Sequence, residues 1–163
     1  MSVIPPYVRV AAHAGKLLRR RGETIAVAES SAGGLISAAL LAVPGASSYF
    51  VGGAAVYTTL AKQELVGVSS EGFALERAAT ETHALILAQS VRRRLGTSWG
   101  LGETGAAGPT GNRYGDAAGH CCLAIAGSVD RRLTVETGEG DRWANMEAFA
   151  EAALRFLIEV LEG

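Results

Sequence analysis

The sequence predicts a layered α/β domain. Short apolar runs, the first of them rich in β-branched residues, alternate with longer stretches whose apolar residues recur at helical spacing, and glycine or Pro-Gly punctuates most junctions. The length of 163 residues suits one domain with a sizeable core, and neither an internal repeat nor a dividing linker is visible.

Residues 7–21 bring Val8, Ala11, Ala14, Leu17 and Leu18 to one helix face. Gly22 is placed to end that helix, and Lys16, Arg19, Arg20 and Arg21 occupy the turns where the dipole favours positive charge. Residues 24–28 read as a buried strand. A helix over 35–43 stops at Pro44-Gly45, which leaves Ser30 and Ser31 at the strand's carboxyl end, where α/β sheets commonly present ligands. Residues 44–48 are a turn or helix start. Gly52-Gly53 leads into a second apolar run through Tyr57, and a helix from about Thr59 carries Lys62 and ends at Gly67. One long helix is predicted over 74–95, on the spacing of Leu75, Ala78, Ala79, Leu85, Ile86 and Ala88, with Gly96 as its stop. Residues 99–104 form a strand weakened by two glycines. It opens into the longest glycine-rich loop, 105–115. Residues 121–126 and 133–137 make a hairpin about Val129-Asp130, and a closing helix spans 142–161.

Hydrophobic residues make up 48% of the chain and charged residues 19%, a balance that excludes disorder and leaves apolar surface for a homo-oligomer. A net charge of -1 with no long charged run disfavours non-specific capture of nucleic acid or anionic membrane. Residues 1–7 carry no basic run followed by an apolar core, and no stretch approaches about 18 uninterrupted apolar residues, so a cytoplasmic location is expected. Cys121 and Cys122 are adjacent on a strand and point to opposite faces, which predicts two buried free thiols.

The segment Glu29 to Lys62 holds the richest chemistry. Ser30 can be a nucleophile, a phosphate ligand or a helix cap, and Ser31 competes for the same roles. Gly33 and Gly34 permit close backbone approach to an anion, though not at the spacing of a Walker loop or dinucleotide fingerprint. Lys62 acts as a base only if burial or nearby positive charge lowers its pKa, with Tyr57 as a relay or orienting group; otherwise both are surface or packing residues. Glu29 can order the serine loop by accepting backbone hydrogen bonds, or equally be an end-of-strand surface carboxylate. The loop from Gly105 offers backbone donors, Thr110, Asn112 and one cation, Arg113, a set that suits a phosphate or oxyanion, with a surface turn as the alternative. Glu103 and Asp116 are possible ligand-site carboxylates, with loop solvation or capping as the simpler explanations. His13, His83 and His120 lie apart, without metal-ligand spacing, and His120 beside Cys121 points away from it.

Ala28-Glu29-Ser30 with Gly33-Gly34, Pro44-Gly45-Ala46-Ser47, Val56-Tyr57 with Ala61-Lys62, Val66-Gly67-Val68, and Thr104-Gly105 through Ala107-Gly108-Pro109 together resemble the C-terminal domain of the competence and damage inducible protein CinA. The resemblance runs from about Val8 to Phe156, and its separated motifs keep their order. It implies that residues 1–163 form one such domain, a three-layer α/β/α sandwich with a mixed central sheet, without the large N-terminal domain of full-length relatives. Standalone members include nicotinamide-nucleotide amidases, which hydrolyse nicotinamide mononucleotide to nicotinic acid mononucleotide and ammonia. On that basis Ser30 is the nucleophile, with Tyr57 and Lys62 completing the catalytic set. Glu29, Ser31, Gly33, Gly34, Ser47, Thr104, Gly105, Ala106, Gly108, Thr110, Asn112 and Arg113 are substrate-binding candidates. No cofactor or metal is implied, and the partner is a phosphorylated pyridine nucleotide or related small molecule.

The chain departs from the active relatives' pattern at Ser31-Ala32, where they usually carry Cys-Thr, and at Thr58-Thr59, where they carry Ser-Asn. It also departs over 112–120, where they carry Lys-Pro-Val-Gly-Thr. These changes bear on a phosphate contact, which Arg113 can replace, and on base recognition. Three other readings stand beside the first: an amide hydrolase of different specificity, an inactive nucleotide-binding or regulatory module, and an oligomerisation unit. The amidase reading predicts Ser30 and Lys62 within about 3.5 Å of each other.

Overall fold

The computed structural model describes residues 3–163, apart from the side chains of residues 74 and 75, one of which the predicted long helix used in its apolar spacing. Five strands lie in the order β2-β1-β3-β4-β5. β1 (Ile25–Glu29) is parallel to β2 (Phe50–Ala55) and β3 (Trp99–Ala106), whereas β4 (His120–Ala126) and β5 (Arg131–Glu136) continue antiparallel. On one face lie α1 (Pro6–Arg21), α2 (Leu35–Leu41) and α6 (Arg142–Glu162), and on the other α3 (Thr59–Val66), α4 (Ser70–Leu75) and α5 (Glu81–Leu95). The result is the expected three-layer sandwich around a mixed sheet.

The period-two alternation of the central strands divides the two cores unequally. Ile25, Val27, Leu101, Leu123 and Ile125 turn toward α1, α2 and α6, and there meet Leu18, Ile36, Phe149 and Leu154. The opposite face carries small side chains: Ala26 and Ala28 on β1, with Cys122, Ala124 and Ala126 on β4. Cys121 and Cys122 fall on these two faces, both buried and free. In β3 the small face is glycine. A Cβ at Gly100 would sit 2.0 Å from the carbonyl oxygen of Ala88, and one at Gly102 2.0 Å from that of Ala84. The two glycines that weakened the strand in the sequence are thus what lets α5 lie directly on β3.

Several boundaries differ from the sequence reading. β2 begins at Phe50 and holds Gly52-Gly53 in its middle, and Tyr57 lies beyond its end. β3 runs on to Ala106 and absorbs Gly105. The single helix predicted over 74–95 is two helices separated at 76–80. Thr80 caps α5 by accepting from the His83 amide, and Ala79 adopts a left-handed φ of 60°, which a continuous helix forbids. Thr104 Oγ1 accepts the Ala79 amide, while the Ala79 carbonyl receives His120 Nε2, so tertiary bonds hold the break that apolar spacing hid.

Candidate active site

Two fully buried carboxylates build the loop after β1. Glu29, the last residue of β1, reaches the start of α2, where Oε1 accepts the amides of Gly34 (2.8 Å) and Ile36 (3.0 Å), and Oε2 the amide and hydroxyl of Ser37 (2.9 and 2.7 Å). It does the work of a helix N-cap from within the strand. Glu103 on β3 performs the matching task for the serines. Its Oε2 accepts the amides of Ser30 (2.9 Å) and Ala32 (2.8 Å), and its Oε1 accepts the Ser31 hydroxyl in a short hydrogen bond. Burial pushes the Glu103 carboxyl above its ordinary range, opposed by these donors, with the nearby Glu29 charge adding to the rise.

The consequence is a serine loop with almost every amide committed. Gly33 donates to the Ser30 carbonyl, while Ser30, Ala32 and Gly34 are held by the two glutamates. The Ser31 amide has no protein acceptor among the described residues, and neither does the Ser30 hydroxyl. Ser30 opens onto a cavity of about 390 Å³ shared with Lys62, Tyr57, Thr104 and the 112–114 stretch of the glycine-rich loop.

Lys62 projects from α3 into this cavity's wall with only 4% of its surface exposed. Its Nζ lies 3.0 Å from His83 Nε2. Among the described residues no carboxylate stands within salt-bridge distance of Nζ. Burial lowers the lysine's pKa, against the more distant negative charge of Glu103. His83, in the first turn of α5, is itself buried, and burial followed by the lysine's charge lowers its pKa to about 4. No hydrogen bond links Ser30 to Lys62, so the predicted direct contact is not made; the amine is bonded to His83 and faces Ser30 across the shared cavity.

A second cavity of about 250 Å³ adjoins the first across Tyr57, Gly105 and Asn112, and its wall includes Ser31, Gly108, Thr110 and Arg142. Arg142, the first residue of α6, donates through Nη1 to the Gly108 carbonyl (2.6 Å). The sequence reading missed both Arg142 and His83. Arg142 stands in a stretch read only as helix, and His83 in a helix thought to begin well before it. For His83 no sequence signal existed; for Arg142 the glycine-flanked Asp141 cap was a usable one.

The remaining candidates separate by position. Tyr57 is 67% exposed at the rim of both cavities and forms no hydrogen bond with Lys62. Asn112 is spent on its own loop, accepting the amides of Tyr114 and Asp116 and donating to the Asp116 carboxylate. Arg113 packs over the Tyr114 ring at 4.9 Å and donates to its hydroxyl (2.8 Å). Thr104 lines the cavity with Ser30 while its Oγ1 accepts the Ala79 amide, and Glu29 is consumed by α2. Gly105 and Ala106 line the second cavity; a Cβ at Gly105 would meet the His120 carbonyl at 2.4 Å. Gly33 and Gly34 shape the turn with positive φ. Ser47 is exposed in a 3-10 turn that precedes β2, at the end of the sheet opposite Ser30. Asp116 pairs with Arg77 (2.7 Å), and His120 joins it with Glu136, clasping the loop to β5. Among the described residues no group of three or more His, Cys, Asp or Glu side chains is arranged to hold a metal.

A family model described as the CinA C-terminal domain matches residues 8–161. The chain is 45% identical over 129 residues to a CinA-like protein of Myxococcus xanthus, covering 77% of this chain and 30% of that protein. It spans about a third of the length of the curated relatives it matches. Among solved structures it is similar to the competence/damage inducible protein CihA from Agrobacterium tumefaciens, with a TM-score of 0.90 and 28% identity over 100% of both chains. It is also similar to a competence-damaged protein (CinA) superfamily protein from Enterobacter cloacae, with a TM-score of 0.88 and 27% identity over 99% of this chain and 95% of that one. The chain belongs to the CinA C-terminal domain family.

Proposed function

We propose that this protein is an amidohydrolase that converts nicotinamide mononucleotide to nicotinic acid mononucleotide and ammonia, with Ser30 as nucleophile. The observation that carries the reading is a buried lysine with a lowered pKa in the same cavity as a serine hydroxyl that no protein group occupies.

In this scheme the Ser30 oxygen attacks the carboxamide carbon and its proton passes to the neutral Lys62 amine. The Ser31 amide, the one donor of the loop left uncommitted, faces the developing oxyanion. Lys62 returns the proton to the leaving nitrogen, ammonia departs, and an ester joins Ser30 to the nicotinoyl group. Water then attacks the ester, giving one proton to Lys62, which restores it to the Ser30 oxygen as the acid leaves. Tyr57 supplies an aromatic face at the rim, and Arg142 in the adjoining cavity receives the phosphate in place of Arg113, whose guanidinium is engaged on Tyr114.

The test is ammonia release and product identity from nicotinamide mononucleotide, for the wild type, Ser30→Ala and Lys62→Ala. Each variant should lose at least about a hundredfold in kcat. Wild type inert across pH and substrate concentration would remove the substrate assignment. Unchanged turnover in either variant would remove that residue's role. An amide hydrolase of different specificity is the second reading, favoured by the engaged state of Arg113; it retains both mutational effects on another amide.

A further inference from the structure

His83 lies outside every motif that identifies the family's chemistry, yet it is the sole hydrogen-bond partner of the Lys62 side chain among the described residues. Its ring is fixed from three sides. The backbone is held in the first turn of α5 by the Thr80 cap (3.2 Å). Phe73 of α4 covers the ring at a centroid distance of 5.1 Å, and lies 5.9 Å from the lysine nitrogen as well. The ring is 2% exposed, its Nε2 faces Lys62, and its Nδ1 is buried with no hydrogen-bond partner among the described residues. The nearby Glu76 carbonyl favours a positive ring but does not outweigh burial. A helix N-terminus further opposes an imidazolium. Burial therefore keeps the ring neutral, and we assign its proton to Nδ1, which leaves an acceptor lone pair on Nε2 for Lys62.

This choice of partner has chemical content. A carboxylate in its place would form a buried ion pair and hold the lysine as an ammonium, useless as a base. An apolar side chain would leave the amine without an acceptor. A neutral imidazole takes one N–H and leaves the charge state free to change. The other groups that bear on Lys62 are Glu103 from β3 by its charge, and Tyr57, Arg113 and Tyr114 around the shared cavity.

We propose that His83 is the positioning residue for the Lys62 base: it receives one amine N–H at Nε2, so that the nitrogen's lone pair is presented to the Ser30 hydroxyl across the cavity. The proposal rests on the amidase reading for its catalytic half only, because the lysine's titration is measurable without substrate. Lys16 and Lys62 are the only lysines of the chain, and Lys16 is exposed, so it serves as an internal reference.

The experiment is a titration of the lysine ε-carbons by NMR in 13C-labelled protein, together with kcat and KM across pH. Lys62 should titrate below the ordinary lysine range in the wild type. His83→Glu should raise the Lys62 midpoint by about two pH units with Lys16 unmoved, and shift the rising limb of kcat by the same amount. His83→Gln, which keeps an acceptor, should retain kcat within about threefold, while His83→Leu should lose at least about tenfold in kcat at constant KM. Wild-type kcat in His83→Leu, or an unmoved Lys62 midpoint in folded His83→Glu, would overturn the proposal. Absence of wild-type turnover on nicotinamide mononucleotide would refute the amidase reading alone. The His83→Glu midpoint then decides the coupling, upheld if it shifts and overturned if it does not.

Discussion

Replacing Glu103 by alanine removes one side chain and orphans three N–H and O–H donors, besides the weak donor of the Cys121 thiol. The amides of Ser30 and Ala32 and the hydroxyl of Ser31 all end on its carboxylate, in a place with 0% exposure. At about 1–3 kcal/mol for each buried group left unsatisfied, the gross loss is roughly 3–9 kcal/mol. A partial offset comes from no longer burying a carboxyl whose pKa the site has raised, so a net loss of about 3–5 kcal/mol is expected. That is a large part of the roughly 5–15 kcal/mol that stabilises an ordinary domain. Glu103→Gln is the control. It keeps an oxygen for the two amides and turns an NH2 toward Ser31, whose hydroxyl can accept it, so the loss should fall to about 1–2 kcal/mol.

Urea unfolding followed by fluorescence of the buried Trp99 reads both numbers. The pH dependence supplies an independent sign. A carboxyl with a raised folded pKa binds its proton more tightly in the native state, so its stabilising contribution is present below the unfolded pKa and is lost as pH rises through the folded one. Glutamine does not titrate, so the gap between wild type and Glu103→Gln should narrow or invert as pH rises above about 4.5. A Glu103→Ala protein within about 0.5 kcal/mol of wild type would refute the claim that this carboxylate holds the serine loop.

Two further outcomes follow from particular contacts. Gly102→Ala places a methyl 2.0 Å from the Ala84 carbonyl oxygen and 2.8 Å from the Ala88 amide nitrogen, both backbone atoms, so α5 must lift from β3; a loss of about 2 kcal/mol or more in urea unfolding is expected. Arg142→Gln should raise KM for nicotinamide mononucleotide about tenfold with kcat little changed, the cost of one charge-assisted phosphate contact, whereas Arg113→Gln should move KM less, as steady-state kinetics on both variants will check.

Local chemistry made much of this molecule legible in advance. Gly22, Gly67 and Gly96 end their helices in the left-handed region as capping rules require, and Ser30 and Ser31 stand where the strand-turn-helix pattern put them. What escaped was long-range. The break before α5 depends on Thr104 and His120, which reach residue 79 from strands later in the chain. The glycines of β3 counted against a strand because propensity scores the isolated residue, whereas their value lies in the helix backbone that packs on them. Lys62 was found by its motif and His83 was not, since the imidazole acquires meaning only when α3 and α5 bring the two nitrogens together.

The division of hydrogen bonds around the serines limits what the site can do. Glu29 and Glu103 absorb the amides of five residues and two hydroxyls, so the loop is fixed before any ligand arrives. His83 absorbs one valence of the lysine. What remains toward the cavities is one hydroxyl, one amide N–H and one amine with its lone pair. A phosphate alone would be served better by several free amides, of the kind a glycine-rich anion nest provides, than by the single one this loop retains. A nucleophile, a base and one oxyanion donor are the parts that the proposed acyl transfer requires, and in that reading the arginine of the neighbouring cavity holds the remote end of the substrate.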